Sequence, residues 1–304
     1  MFHRRTLIAA ALCLGLSAGA FAQTKTLRIV VSFPPGGPVD FVARALGEQL
    51  GKELGQTVIV ENKAGANGAI GAGEVMRAPA DGSTLWITSV GAAAVNPSLY
   101  EKLPYDMQRD FVPVSLVVNN EELLVVHPND PAKDAAEFIA AAKKRKDATA
   151  MASSGIGSIP HLAIEQFADA TGAALLHVPY KGAAPAITDV MGGQVAGFFG
   201  DVPGLIGHVR GGKLKAIGIA SSKRHPALPD VKTLAEQGIA GVDTNNWYAL
   251  FAPAKTPAAT VAEINAAVRR ALATPALRER LLNSGTEPAP STPQELAALL
   301  KRDT

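Results

Sequence analysis

From residue 27 onward, short β-branched runs alternate with amphipathic stretches, and this alternation limits the chain to a sheet flanked by helices. Residues 27–32 read as a buried strand. The stretch 38–54 carries Val39, Val42, Leu46, Leu50 and Leu54 three or four apart, with Arg44, Glu48 and Lys52 elsewhere. It predicts a helix with one apolar stripe laid on that sheet, and Pro38 suits its first turn. A strand at 57–60, a Gly/Ala-rich helix at 68–77 and a strand at 84–89 repeat the pattern. Strands separated by helices imply parallel pairing.

After Ser89, Asn96-Pro97-Ser98, Leu103-Pro104-Tyr105 and Phe111-Val112-Pro113 interrupt regular structure and predict a crossover. A second α/β unit follows, with strands at 114–118, 123–126, 148–152, 175–179, 195–199 and 214–220. Its helices fall at 134–144, 161–171, 184–191 and 203–210. A strand at 248–252 and helices at 257–273, 275–283 and 292–302 then return to the first unit. The expected division is a leader over 1–22, a first lobe from 23–100 and 223–304, and a second lobe from 101–222. Two crossings make a hinge, which suits ligand capture by closure.

The first 22 residues have the form of an export signal: His3, Arg4 and Arg5, an apolar run over 7–20, and Ala20-Phe21-Ala22 as a cleavage site. The run is shorter than the roughly 20 residues that span a bilayer. Cleavage after Ala22 removes Cys13, the one cysteine, and Leu12 before it argues against a lipid anchor. It also takes Arg4 and Arg5 from 29 basic residues and nothing from 27 acidic ones, so the exported chain is formally neutral. The longest basic run, Lys143 to Lys146, gives no reason to expect nucleic acid. Without cysteine, disulfides and thiolate metal sites are excluded from the mature chain.

Three strand-to-helix turns share one chemistry. Glycines let backbone N–H groups approach a ligand, and the helix start behind them carries partial positive charge, so each turn is a seat for a carboxylate. The first turn runs from Phe33 through Pro35, Gly36 and Gly37 to Asp40. The second spans Ser153, Ser154, Ser158 and His161, and the third Tyr180, Gly182 and Ala183. Ligands collect outside the carboxyl ends of strands in open α/β sheets. Asp40 either holds its own loop through the Gly36 and Gly37 amides or binds a ligand amino group. His161 either touches the ligand or sits by the first helical turn. Lys181 is either paired with an acid or solvated. Asp201 faces the cleft or caps the helix that follows, and in the cleft it suits a ligand bearing an ammonium group. Trp247 and Tyr248 are expected at the lobe junction.

Catalytic signatures do not occur: there is no Gly-x-Ser-x-Gly elbow, Walker loop, His-Glu-x-x-His, or Gly-x-Gly-x-x-Gly after the first strand. His127, His161, His177, His208 and His225 are scattered, so no metal or cofactor is implied.

With these readings in place, Phe33 to Asp40, Glu61-Asn62-Lys63-Ala64-Gly65-Ala66, Pro79-Ala80-Asp81-Gly82, His177 to Gly182 and Gly192-Gly193-Gln194-Val195 resemble motifs of the Bug (TctC) family. These are extracytoplasmic receptors of tripartite tricarboxylate transporters. Pro226 to Val231 and Phe251 to Pro257 extend the likeness over nearly the whole mature chain. The resemblance implies a type II periplasmic-binding-protein-like α/β fold, not an enzyme, closing on a small carboxylate or amino acid held by backbone groups and waters. Ser89 and Gly91 join the site by this likeness. The implied partners are membrane permease subunits, with a signalling protein as the alternative and an exported hydrolase as a rival; the receptor itself is expected as a monomer. Three departures stand out: Pro35 where the family commonly has Ala, Val39 where a hydroxyl is common, and an acid at Asp201 displaced by one position. Relatives also continue beyond Thr304 with a Trp-containing segment.

Overall fold

A computed structural model of the chain describes residues 25–304. The expected leader, its cleavage site and Cys13 lie outside the described residues. Among the described residues, no helix is long and apolar enough to cross a membrane.

The chain opens with β1 (Thr26–Val31), α1 (Pro38–Leu54), β2 (Thr57–Asn62), α2 (Ala69–Met76) and β3 (Thr84–Ser89). A π-turn (Gly91–Val95), α3 (Asn96–Leu99) and α4 (Met107–Asp110) lead into β4 (Phe111–Val126). Then come α5 (Ala135–Ala142), β5 (Thr149–Ser153), α6 (Ile159–Thr171), β6 (Leu175–Pro179), α7 (Ala183–Met191), β7 (Gly197–Asp201), α8 (Val202–Arg210) and β8 (Lys215–Ala220). The last part is β9 (Asn245–Pro253), α9 (Ala258–Ala273), α10 (Pro275–Asn283), β10 (Glu287–Pro288) and α11 (Pro293–Asp303).

The helix read from the apolar stripe has the expected limits. Pro38 opens α1, and Gly55 ends it in the left-handed region at φ 62°, where its N–H caps Gly51 and Lys52 carbonyls. Val42, Leu46 and Leu50 are fully buried against β1, β3, α9 and α10 in one core layer of the first lobe. Each such side chain contributes about 1.5–3 kcal/mol of transfer free energy. A second layer, centred on Trp86, Phe111, Trp247 and Phe251, fills the other face of that sheet. The second lobe likewise has a layer on each face, one around Phe167 and Phe199 and one around Phe198 and Val202.

One expectation is corrected. Residues 114–118 and 123–126 are parts of one strand, β4, sixteen residues long. The polar triplet Asn119-Asn120-Glu121 looks like a break, yet its backbone stays in the ladder opposite Trp247, Asn246 and Asn245. From Phe111 to Glu121, β4 pairs with β9; from Glu122 to Val126 it pairs with β7 and β8. One strand therefore serves both lobes, and the change of partner falls at Glu121 and Glu122, later than a boundary at 100/101. The return crossing runs between Ala220 and Asn245, tied by Thr244 N–H donating to the Ala220 carbonyl at 3.0 Å.

This topology aims the strand ends at each other. β1, β2 and β3 run parallel, β9 antiparallel to β3, β4 antiparallel to β9, and β7 antiparallel to β4. The parallel set of the second lobe, β5, β6 and β7, thus opposes that of the first. Ser89, ending β3, is level with Tyr248 and so with Val118; Asp201, ending β7, is level with Glu122. Four residues along β4 correspond to about 13 Å. The carboxyl ends of both parallel sets meet across that gap.

Candidate functional site

Four helices begin where the strand ends meet. Their N-cap residues are Gly37 for α1, Ser158 for α6, Gly182 for α7 and Asp201 for α8. An inner chamber of about 30 Å³ is lined by Phe33, Pro34, Gly37, Pro38, Val39, Ser89, Ser154, Ser158, Ile159, Pro160, Ala183, Asp201 and Asn246. It opens the way to an outer chamber of about 230 Å³, which shares Phe33, Pro34 and Ser154 and adds Gly65 to Gly68, Tyr100, Ile156, Tyr180, Lys181 and Gly182. The inner space holds about one water. No lysine, arginine or histidine lines it. Larger hollows of about 730 Å³ beside the crossing segments and about 420 Å³ on the first lobe receive none of these four helix starts.

The lobes touch around the chambers. Gly182 has φ +118°, and a β-carbon there would stand 2.6 Å from Cδ of Pro34 in the opposite lobe. Tyr100 donates its hydroxyl to the Ile156 carbonyl at 3.4 Å, again between lobes. This is a closed arrangement.

The residues expected from sequence divide into two groups. Phe33, Gly37, Ser89, Ser154, Ser158, Tyr180, Gly182, Ala183 and Asp201 line the chambers. Pro35, Gly36, Asp40, Gly91, Ser153 and His161 do not. Pro35 and Gly36 are exposed on the outer bend of their loop. Asp40 lies behind that loop: it accepts from Gly36 N–H at 3.0 Å, Asn62 Nδ2 at 2.8 Å and Arg44 at 2.9–3.0 Å. Burial pushes the Asp40 carboxyl up, but the bonds from Arg44, Gly36 and Asn62 outweigh it and hold it below the usual range. Its lone pairs are spent on the loop, which Asn62 also ties through the Phe33 carbonyl at 3.0 Å.

Gly91 sits at the lobe contact, where a β-carbon would come within 3.1 Å of the Gly157 carbonyl oxygen. Ser153 is fully buried, its Oγ 2.5 Å from His177 Nε2. His161 stacks on His177 with centroids 3.9 Å apart, and its Nδ1 accepts from Gly157 N–H at 3.2 Å. Burial, then the neighbouring His161, lowers His177 to about 4. The two imidazoles brace the second turn from behind.

Asp201 and Tyr248 meet at the junction. The Tyr248 hydroxyl donates to Asp201 Oδ2, and Asn246 Nδ2 donates to Glu122 Oε1 at 3.3 Å. Burial raises Asp201 to about 7 and, with the charge of Asp201 added, raises Glu122 well above the usual carboxylate range. Trp247 lies elsewhere, buried in the first lobe with Nε1 donating to Asp303 at 2.8 Å.

Sequence reasoning did not single out Asn246, Glu122 or the turn at Gly65 to Gly68 as parts of the site. The turn had one signal: Ala66 and Asn67 both adopt positive φ, 47° and 43°, and Asn-Gly is a turn pair. Asn67 Nδ2 donates to Asn96 Oδ1 at 2.9 Å, and Asn96 donates back to the Asn67 carbonyl at 3.0 Å. Glu122 and Asn246 are buried polar residues inside strands, which no spacing marks.

Two α/β lobes joined by crossing strands, with facing helix starts around an enclosed chamber, have the architecture of a solute-binding receptor. The chain belongs to the tripartite tricarboxylate transporter receptor family, TctC, whose family model matches residues 42–304. BugT of Bordetella pertussis is 37% identical over 285 residues, covering 92% of this chain and 87% of that protein. MatC of Rhodopseudomonas palustris, solved with bound malate, is 35% identical with TM-score 0.85, covering 91% of this chain and 96% of that one. Rpa4515 of the same species, solved with adipate, is 31% identical with TM-score 0.89, covering 92% and 94%. The family, the fold and the receptor class expected from the motifs are thereby established.

Proposed function

We propose that this chain is a periplasmic receptor that captures a small organic acid by lobe closure and presents it to the permease subunits of a tripartite transporter. The observation carrying this reading is the convergence of four helix starts, from both lobes, on one chamber without a basic side chain. A carboxylate at the mouth of the inner chamber is held by helix-end N–H groups and by the hydroxyls of Ser89 and Ser154, while the Ser158 hydroxyl is already given to the Gly155 carbonyl, so its recognition is local and geometric. Lys181 is the one basic side chain along the outer chamber, where a second carboxylate of a diacid extends. The malate and adipate of the two R. palustris proteins support a dicarboxylate of four to six carbons.

Residues 25–121 and 245–304 act as one lobe and 122–244 as the other, hinged where β4 changes partner and at the return segment. Closure excludes water, which strengthens each hydrogen bond to the acid. Thermal-shift screening of malate, succinate, adipate, citrate, aspartate and glutamate, followed by calorimetry, tests the reading. A shift with at least one of these acids and no chemical change in it is expected. If every acid fails at millimolar concentration, the reading is wrong.

A further inference from the structure

Glu122 and Asp201 face each other on the first rung of the second-lobe ladder. Directly opposed residues share a sheet face with β-carbons about 5 Å apart. Glu122 is 0% exposed and Asp201 7%. Each carboxyl has one bonded oxygen, to Asn246 and Tyr248, and one orphan, Glu122 Oε2 and Asp201 Oδ1. No lysine, arginine or histidine among the described residues bonds to either. Around the pair, β8 presents Ala220, β9 presents Asn246 and Tyr248, β4 adds Asn120, and α8 begins with Val202. Glu121, the next acid on β4, lines the hollow beside the crossing segments instead.

Two ionised carboxylates in such a place are strongly unfavourable. One proton between them supplies a donor and leaves a single shared charge. We propose that Glu122 and Asp201 form a proton-binding site, and that closing the lobes on a ligand takes up one proton there. This rests on the receptor reading above. The proton comes from solvent and forms one carboxyl O–H bond; no other bond changes.

The link to closure is positional. Asp201 lines the inner chamber, and its hydrogen-bond donor, Tyr248, belongs to β9 of the first lobe. Parting the lobes wets Asp201; closing them dries it and favours its protonated form. Ligand and proton then bind cooperatively, so affinity is highest below the open-state value and is lost as pH rises through the closed-state value.

Infrared titration of the ligand-free full chain, beside a Glu122→Gln/Asp201→Asn double variant, tests the shared proton. A protonated-carboxyl band that persists above the ordinary carboxylate range in ligand-free wild type but is lost by pH 6, leaving the site free to take up a proton there, and that is missing from the double variant, is expected. If the double variant does not fold, Glu122→Gln alone serves, with the same loss. No such band, or a band unchanged by the substitutions, overturns the proposal.

Calorimetry with L-malate at pH 6, in two buffers of different ionisation heat, reads the linkage. Uptake of about one proton in wild type and none in the double variant is expected, with affinity about tenfold lower at pH 8 than at pH 6. Binding without uptake overturns the linkage and leaves the receptor reading intact. If no acid of the screening panel binds, the receptor reading and the linkage fall together, and the infrared band alone decides whether the pair holds a proton.

Discussion

Pro34 of the first lobe rests on Gly182 of the second so closely that a β-carbon at 182 would lie 2.6 Å from the proline ring. The same glycine has φ +118°, which side chains rarely adopt, and it caps α7 beside the chamber. Gly182→Ala is therefore expected to hold the lobes apart. Small-angle scattering with saturating acid should show a larger radius of gyration than wild type, and affinity should fall at least tenfold, about 1.4 kcal/mol. Pro34→Gly in the same chain should recover part of the loss. Unchanged compaction would show that this contact does not limit closure.

Gly37 makes the opposite case. Its φ is −82°, and an added β-carbon meets only the Pro34 carbonyl, at 3.6 Å. Gly37→Val should fold with a melting temperature close to wild type while its side chain intrudes on the chamber. Calorimetry should report affinity weaker by at least tenfold, about 1.4 kcal/mol. Equal affinity would remove this turn from the site.

Asp40 is expected to matter for stability more than for specificity. Asp40→Ala leaves Gly36 N–H, Asn62 and Arg44 without their acceptor and should cost about 1–3 kcal/mol in denaturant unfolding. Its carboxyl is held below the usual range, so its contribution is present above the unfolded-state value and lost as pH falls through the lowered folded value. Acid melts should therefore lose less stability in Asp40→Asn than in wild type. A melt profile parallel to wild type would contradict this.

The stacked imidazoles give a second acid-sensitive element with its own window. Burial and His161 lower His177 to about 4, so between the ordinary histidine value, about 6.5, and 4 the unfolded chain binds the extra proton. Stability should fall as pH drops across that interval. His177→Gln should flatten the profile there without changing it above pH 7, read by thermal denaturation. NMR of labelled histidine that placed His177 near the ordinary value would refute the assignment.

Much of the fold was legible because local rules and tertiary packing agree. Pro38 and Gly55 bracket α1, and β3 is a continuously buried, β-prone strand between turn residues. The turns of the site were legible for the same reason, since glycine at 36, 37 and 182 marks where backbone must bend near helix starts. β4 was not legible as one strand, because Asn119, Asn120 and Glu121 are polar in the middle of it. Their polarity reflects a place where the chain leaves one lobe for the other, and only the partner strands reveal that. Asp40 and His161 could be recognised as notable but not assigned: what decides their roles is Asn62 and His177, distant in the chain and adjacent in space.

The division of β4 also orders assembly in time. All the strands that complete the second-lobe ladder lie at or before Ala220 in the chain, whereas the first needs β9, β10 and α11 from its far end. Contacts of short sequence separation form first. The inserted lobe can therefore finish while its host is still waiting for its last helix, and β4 is the completed edge onto which the remainder of the host is built.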